Sequence, residues 1–233
     1  MDTTAIVLAA GRGKRMQSGT PKQFMLLRGK PLLYYSLRVF EDSPLVDHVI
    51  LVTEEENIAF CRSEIVERYG FHKVERITAG GKERYDSVYQ GLIACEGTDY
   101  VLIHDSARPF IDGLMLERGL SAAVKYKACV LAMPSKDTVK IAGEDGFVKE
   151  TPDRSRVWII QTPQIFSYDL VRNAYDQLRA VGMEGVTDDA MVVEKAAGRK
   201  VYLVEGDYKN IKITTPEDLE TAEYRLAKNE REI

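Results

Sequence analysis

Cysteine is scarce in this chain and scattered: Cys61, Cys95 and Cys129 are the only three among 233 residues. They form no CxxC pair and no even-numbered disulfide framework, so reduced, mostly buried thiols in a cytoplasmic protein are expected. No apolar run approaches the roughly 20 residues that a membrane-spanning helix needs. Met1-Asp2-Thr3-Thr4 offers no basic segment ahead of an apolar stretch, which argues against a secretory leader. Histidine is equally sparse. His48, His72 and His104 belong to no Ser–His or Cys–His constellation, so catalysis through an activated serine or cysteine is not indicated. Repeats, low-complexity tracts and Pro/Ser-rich linkers are missing as well. With 45% hydrophobic and 29% charged residues, the chain has the balance of an ordinary globular protein, which excludes fibrous and disordered classes. We read residues 1–233 as a single domain long enough to bury a sizeable core.

Acidic residues are absent from one long stretch. Between Thr3 and Phe40 there are seven basic residues (Arg12, Lys14, Arg15, Lys22, Arg28, Lys30 and Arg38) and no Asp or Glu, although the net charge is −4. A local cationic patch on an acidic protein points to a small polyanionic ligand. A nucleic-acid binder would be basic overall, with exposed aromatics interleaved among the cations.

What is present is a regular alternation. Apolar runs at Ala5–Ala9, Val49–Val52, Val74–Ile77, Val101–Ile103, Cys129–Met133, Trp158–Ile160 and Val201–Val204 read as strands. Between them lie helix-spaced segments: Leu33, Leu37 and Phe40; Ile58, Cys61, Ile65 and Tyr69, with Gly70 as C-cap; and Val88, Leu92 and Cys95. Residues 114–126, 168–181 and 189–197 follow the same spacing. A last helix opens at Thr215-Pro216-Glu217-Asp218, with Thr215 as N-cap and Pro216 in the first turn. This order predicts an α/β fold with a mostly parallel sheet covered by helices on both faces. Residues 137–151 break the alternation and read as a polar hairpin around a Gly turn. Such a ribbon is marginal alone and suits packing against a partner subunit.

Four motifs could carry chemistry. Leu8-Ala9-Ala10-Gly11-Arg12-Gly13-Lys14-Arg15-Met16 follows the first strand. Its small residues allow close approach of a phosphate, and its N–H groups can cradle anionic oxygens. The spacing is neither the dinucleotide fingerprint nor a Walker A loop. Four cations, Arg12, Lys14, Arg15 and Lys22, favour a polyphosphate site over a plain basic turn. The second motif, His104-Asp105-Ser106-Ala107-Arg108-Pro109, ends an apolar strand, where ligands of open α/β sheets sit. Asp105 suits Mg²⁺, which commonly takes one or two carboxylates plus phosphate oxygens. The ordinary alternatives are a helix N-cap for Asp105, a surface ion pair for Arg108 and a satisfied, half-buried imidazole for His104, the last being preferred. The third motif, Ala79-Gly80-Gly81-Lys82-Glu83-Arg84-Tyr85-Asp86-Ser87, permits close backbone approach, with Asp86 or Ser87 as helix cap. The fourth comprises polar clusters at Gln161-Thr162-Pro163-Gln164, Thr187-Asp188-Asp189 and Asn210-Ile211-Lys212-Ile213-Thr214, each of which loop chemistry alone would explain.

Taken in order, LAAGRGKRM with Pro21-Lys22-Gln23, GGKERYDSV, HDSARPF, KDTVK, TPDR, QTPQIF, TDDA and NIKITTPEDL resemble the 2-C-methyl-D-erythritol 4-phosphate cytidylyltransferase family of the non-mevalonate isoprenoid pathway. The likeness runs from about Ala5 to Leu219. Ribitol 5-phosphate cytidylyltransferases share the scaffold but typically read Ala-Gly-Gly in the first loop and lack a TPDR-like segment. Here Ala9-Ala10-Gly11 and Thr151-Pro152-Asp153-Arg154 stand. The resemblance implies a Rossmann-like sheet of the nucleotide-diphospho-sugar transferase type with a protruding β-hairpin arm, residues 136–156, that interlocks two subunits of a homodimer. It implies CTP and methylerythritol phosphate as substrates and Mg²⁺ as cofactor, with no nucleic-acid or membrane partner. Arg15 and Lys22 match residues that stabilise the transition state at the α-phosphate, and Asp105 matches the Mg²⁺ ligand. Ala9, Ala10, Gly11, Gly13, Gly81, Ser87 and Ser106 match the cytidine-binding surface. Arg154 and Lys212 match residues that position the attacking phosphate. Thr138, Thr162, Thr187 and Arg108 join the substrate contacts, with Thr138 and Arg154 expected from the partner. Two positions depart from the usual pattern: Lys209 stands before Asn210-Ile211-Lys212 where Asp is common, and Lys82 follows the Gly pair where an acid is common.

Overall fold

The computed structural model describes residues 1–11 and 19–229. The chain enters through β1 (Thr3–Ala9), whose aliphatic run is buried at every position. Its side chains alternate between two cores: Ala5, Val7 and Ala9 face one, Ile6 and Leu8 the other. That division is the period of two that a strand covered on both faces requires. A small hairpin follows, β2 (Leu26–Leu27) and β3 (Lys30–Pro31). Arg28 (φ 51°) and Gly29 (φ 76°) both take the left-handed conformation that its two-residue turn demands.

Next come α1 (Leu32–Asp42), β4 (His48–Thr53), α2 (Ile58–Phe60), which widens into a π-helical stretch Cys61–Glu67, and β5 (Val74–Ala79). They are followed by α3 (Arg84–Ala94), β6 (Tyr100–Asp105), α4 (Gly113–Tyr126) and β7 (Ala128–Pro134). The arm strands β8 (Ile141–Ala142) and β9 (Val148–Glu150) precede β10 (Trp158–Ser167), α5 (Tyr168–Val181), α6 (Asp189–Ala197), β11 (Tyr202–Glu205) and α7 (Pro216–Asn229). The main sheet runs β11-β7-β10-β6-β1-β4-β5. Every neighbouring pair is parallel except those made by β10, which is antiparallel to both β6 and β7. The α/β class and the mostly parallel sheet agree with the sequence.

Helices α1 and α4 and the π-helical stretch cover one face, through Leu33, Leu37, Phe40, Cys61, Ile65, Met115, Leu116 and Leu120. Helices α3, α5 and α6 cover the other, through Val88, Leu92, Val171, Tyr175, Val192 and Val193. Helix α7 closes a smaller core with Leu27, Leu32, Ala107, Phe110 and Ile213. Thr215 caps its start, as expected from sequence, and the structure adds a reciprocal capping box: Thr215 Oγ1 accepts from the Asp218 N–H at 3.3 Å, and the Asp218 carboxylate accepts from the Thr215 N–H at 2.9 Å. Helix α3 differs from expectation. Glu83 is its N-cap and Asp86 completes a reciprocal capping box, whereas Ser87 lies inside the helix.

Strand β10 is longer than its apolar run suggested. Gln161-Thr162-Pro163-Gln164 sits in mid-strand, buried, where the ladder with β7 breaks between Ile160 and Gln164. This bulge turns Gln161 and Thr162 out of the regular pleat towards the end of β6. The arm is an exposed two-stranded ribbon, as expected of a polar hairpin; Phe147 and Val148 at its tip are 76% and 60% exposed. Among the described residues no helix is long and apolar enough to cross a membrane.

Candidate functional site

The carboxyl ends of β1 and β6 open onto a cleft with two lobes. The larger lobe, about 850 Å³, is walled by Ala10 and Gly11 after β1, by Lys22, by Gly80 and Gly81 after β5, by Ser87 on α3 and by Ser106 after β6. The smaller lobe, about 270 Å³, is walled by Arg108, Gln161, Thr162 and Gln164 of the β10 bulge, and by Thr187 and Asp188 ahead of α6. Arg84, Asp105 and Lys212 line both. The two lobes therefore meet at one carboxylate and two cations.

Backbone geometry shapes the larger lobe. The Gly81 N–H donates to Ser87 Oγ at 3.1 Å, and Ser87 Oγ donates to the Glu83 carbonyl at 3.3 Å, drawing the Gly-Gly turn onto α3. A Cβ on Gly80 would lie 2.6 Å from Ser87 Oγ and 2.7 Å from the Ala10 Cβ, so only glycine lets these two loops meet. Lys22 opens a short 3₁₀ turn, Lys22–Phe24. The next residue, Gln23, is buried and its Nε2 donates to the Ala9 carbonyl at 2.7 Å, tying that turn to the end of β1.

Asp105 is the last residue of β6 and is 9% exposed. Its Oδ1 accepts from Arg84 Nε at 3.1 Å and its Oδ2 from Lys212 Nζ at 2.5 Å. Burial alone would raise its pKa, but Arg84 and then Lys212 outweigh burial and hold it well below the usual carboxylate range. Arg84 also makes a two-pronged pair with the wholly buried Asp189, at 3.0 and 2.8 Å. Burial lowers the Arg108 pKa. Its guanidinium donates to the carbonyls of Asn210 at 2.8 Å and Ile160 at 3.3 Å, and its Nε, also buried, has no hydrogen-bond partner among the described residues.

His104 is fully buried rather than half-buried. Its Nδ1 meets Thr162 Oγ1 at 3.1 Å and its Nε2 meets the Arg108 carbonyl at 3.2 Å. The carbonyl can only accept, so the partners assign the proton to Nε2 and leave Nδ1 to accept from the hydroxyl. Burial pushes its pKa down to about 3. It is a structural imidazole, not a proton carrier.

Most of the site residues named from sequence converge here. Ala10, Gly11, Lys22, Gly81, Ser87 and Ser106 line the larger lobe, Arg108, Thr162 and Thr187 the smaller, and Asp105 and Lys212 both. Thr162 is less open than expected, because its hydroxyl already accepts the Asp105 N–H at 3.1 Å and pairs with His104. Ala9 does not line the cleft: it is buried in β1 and contributes its carbonyl to Gln23. Thr138 and Arg154 do not line it either. Both are exposed on the arm, where Arg154 donates to the Lys136 carbonyl at 3.3 Å. Arg15 and Gly13 lie outside the described residues. The two departures part company: Lys209 pairs with Asp112 at 2.7 Å and fastens its loop to α4, whereas Lys82 lines the larger lobe.

Sequence reasoning missed Arg84, Asp189 and Gln23. One signal was available for Arg84: a cation in the first turn of a helix opposes the macrodipole and needs a tertiary reason. Among the described residues no group of three or more His, Cys, Asp or Glu side chains could hold a metal. A cation here would rest on Asp105 and on the ligand's own oxygens.

Comparison with known proteins gives one answer. The family model described as 2-C-methyl-D-erythritol 4-phosphate cytidylyltransferase matches residues 3–228. The chain is 50% identical to the protein of that name from Lachnoclostridium phytofermentans, over 97% of both chains. It is 48% identical to that from Clostridium acetobutylicum, again over 97% of each. Among solved structures it is similar to the 4-diphosphocytidyl-2C-methyl-D-erythritol synthase of Anaerococcus prevotii, with a TM-score of 0.86 and 34% identity over 97% of this chain and 96% of the other. The Francisella tularensis 2-C-methyl-D-erythritol 4-phosphate cytidylyltransferase superposes with a TM-score of 0.82 at 30% identity, over 97% of this chain and 100% of that one.

Proposed function

This chain belongs to the 2-C-methyl-D-erythritol 4-phosphate cytidylyltransferase family, and we infer that its two-lobed cleft performs the family's reaction by holding two anions against one fixed carboxylate. The enzyme transfers the cytidylyl group of CTP to 2-C-methyl-D-erythritol 4-phosphate, giving 4-diphosphocytidyl-2-C-methyl-D-erythritol and pyrophosphate. The junction of Arg84, Asp105 and Lys212, shared by both lobes, is the observation that carries the assignment of steps.

CTP occupies the larger lobe. Backbone groups of Ala10, Gly11, Gly81 and Ser106, with Ser87 shaping the turn, hold the nucleoside and its phosphates. The acceptor phosphate occupies the smaller lobe beside Arg108, Thr162 and Thr187. One of its oxygens attacks the α-phosphorus in line. A bond forms from that oxygen to the α-phosphorus, the bond to the bridging oxygen of the β-phosphate breaks, and pyrophosphate leaves with the electron pair. The attacking monoester has a second pKa of about 6, so it is largely dianionic at neutral pH and needs no general base. A neutral, fully engaged His104 accords with that chemistry.

The barrier is mutual repulsion of anions, and fixed cations lower it by positioning and charge neutralisation. Lys22 and Arg15 act on the α-phosphate, and Lys212 and Arg154 on the attacking phosphate. Asp105 fits a Mg²⁺ ion, being one ionised carboxylate at the lobe junction with space for phosphate oxygens to complete the hard, oxygen-rich shell that this ion takes. When bound, the ion neutralises charge that develops on the phosphates. Thr138 and Arg154 sit on the arm, away from their own cleft, which suits a homodimer in which each arm completes its partner's smaller lobe.

Pyrophosphate release with CTP and Mg²⁺, offering methylerythritol 4-phosphate and ribitol 5-phosphate in parallel, tests the reading. Turnover with the first alone is expected. Turnover with ribitol 5-phosphate alone would keep the nucleotide lobe and overturn the acceptor.

A further inference from the structure

Arg84 stands directly after the N-cap Glu83, in the first turn of α3. The positive end of the helix dipole disfavours a cation there, so the side chain is kept for its tertiary partners. They are two carboxylates from distant parts of the chain. Its Nη1 and Nη2 donate to the two oxygens of Asp189 at 3.0 and 2.8 Å, and its Nε donates to Asp105 Oδ1 at 3.1 Å. Asp189 is immobilised in turn: it is wholly buried at the start of α6, and its Oδ1 accepts the hydroxyl of the buried Tyr175 at 2.6 Å.

The two oxygens of Asp105 are thus held in different ways. Oδ1 is gripped by a planar fork that is locked at its other end by Asp189. Oδ2 faces Lys212, a point charge on a flexible stem. A guanidinium bridging two carboxylates cannot swing away from one without losing its geometry on the other, whereas an ammonium can turn to another anion. We propose that Arg84 is a positioning residue that fixes Asp105 by Oδ1, so that Oδ2 is presented to the metal–nucleotide complex, with the Asp189–Tyr175 pair as its anchor. The proposal rests on the reading of Asp105 as the metal-bearing carboxylate. It accounts for an arginine against the helix dipole and for a buried aspartate that touches neither lobe.

Calorimetric titration of the full chain with CTP, once with Mg²⁺ and once with EDTA, isolates the metal's contribution without turnover, because no acceptor is present. Arg84→Lys keeps the charge but cannot bridge both carboxylates. Magnesium's enhancement of CTP affinity is expected to fall about tenfold, the lower end of what losing a partner of a metal ligand costs. The affinity in EDTA should change less than the enhancement does, because the charge that Arg84 contributes to the cleft is kept. A purely structural role would weaken both titrations alike and overturn the proposal, as would Arg84→Lys with its full enhancement. Asp105→Asn separates the two ideas. If it keeps the enhancement, the metal reading fails and the proposal with it; if it loses the enhancement while Arg84→Lys keeps it, Arg84 alone is misassigned. Should Arg84→Lys not fold, Asp189→Asn loosens the same anchor. It should lower the enhancement in the same direction, and a folded Asp189→Asn with full enhancement also overturns the proposal.

Discussion

Lys212 Nζ lies 2.5 Å from Asp105 Oδ2, a contact between residues 107 positions apart that closes the floor common to both lobes. Its loop is also fastened independently, by Lys209 on Asp112 and by Arg108 on the Asn210 carbonyl. Removing the ammonium therefore subtracts charge from the reacting phosphates without releasing the loop. Lys212→Ala should lower kcat by about 10²–10³-fold, the usual cost of deleting one preorganised donor to developing charge, while the melting temperature changes little. Steady-state pyrophosphate release beside a thermal melt checks both halves, and near-normal turnover would strip Lys212 of its role.

Lys22 tests the opposite wall. It projects from a turn that Gln23 pins to β1, so its backbone does not depend on its own side chain. Lys22→Ala should again cost about 10²–10³-fold in kcat with the fold intact. Gln23→Ala should cost activity through misplacement of Lys22, and Gln23→Glu more so, because its carboxylate would face the Ala9 carbonyl. Comparing kcat with the melting temperature across the three variants separates charge loss from local unfolding.

The framework was legible where local pattern and tertiary role coincide. A short apolar run such as Ala5–Ala9, ending at a Gly-containing turn, reads as a strand buried on both faces, and it is one. The arm was legible because a Gly turn between polar alternating runs is a local signal. Of strand β10 only the apolar start, Trp158–Ile160, was legible, because Gln161, Thr162 and Gln164 read as loop residues. They are buried at 7%, 4% and 1% exposure only because Asn210, His104 and Asp188 satisfy them from elsewhere. The same holds at the site. Asp105 and Lys22 lie in motifs that point to phosphate chemistry and Lys212 is marked by the family resemblance, but Arg84 meets Asp105 across 21 positions and Asp189 across 105, and only the folded chain pairs them.

Helix α3 carries Arg84 to the cleft, and its fit on the sheet depends on a small residue. A Cβ on Gly91 would lie 2.4 Å from Ile6 Cγ2 and 3.2 Å from Val52 Cγ2, both in the core beneath the helix. Gly91→Ala gains about 1 kcal/mol of helix propensity but overpacks that contact, at a typical cost of about 1–3 kcal/mol. We expect a net loss of stability, a melting temperature lower by several degrees, and weaker CTP binding as Arg84 shifts with its helix. An unchanged melt would mean that the helix and the sheet separate freely.

At the opposite end of the sheet, His48 sits between two carboxylates, with Nδ1 2.5 Å from Glu75 and Nε2 3.4 Å from Asp2. Burial would lower its pKa, but Glu75 and then Asp2 outweigh burial and raise it above 6.5. A group whose pKa is raised by folding contributes stability that is fully present below its unfolded value and lost as pH climbs through the folded one. The unaltered enzyme should therefore melt higher than His48→Gln at about pH 6, with the gap closing as the pH rises beyond the raised value. A gap that widened with pH would show the opposite linkage.

The arm decides whether one chain makes a whole active site. Its ribbon buries nothing in its own subunit: both strands are exposed, with Phe147 and Val148 at the tip. Deleting residues 139–149 removes β8 and all of β9 but Glu150, and leaves the base of the arm, where the Ser135 N–H donates to the Val157 carbonyl at 2.8 Å. The remaining core should melt near the temperature of the full chain, because no core residue is lost. If each arm completes its partner's smaller lobe, the truncated chain should elute as a monomer and lose turnover, while still binding CTP in a lobe built wholly from its own residues. A monomer that retained turnover would place the complete acceptor site within one chain and leave Thr138 and Arg154 without a catalytic part.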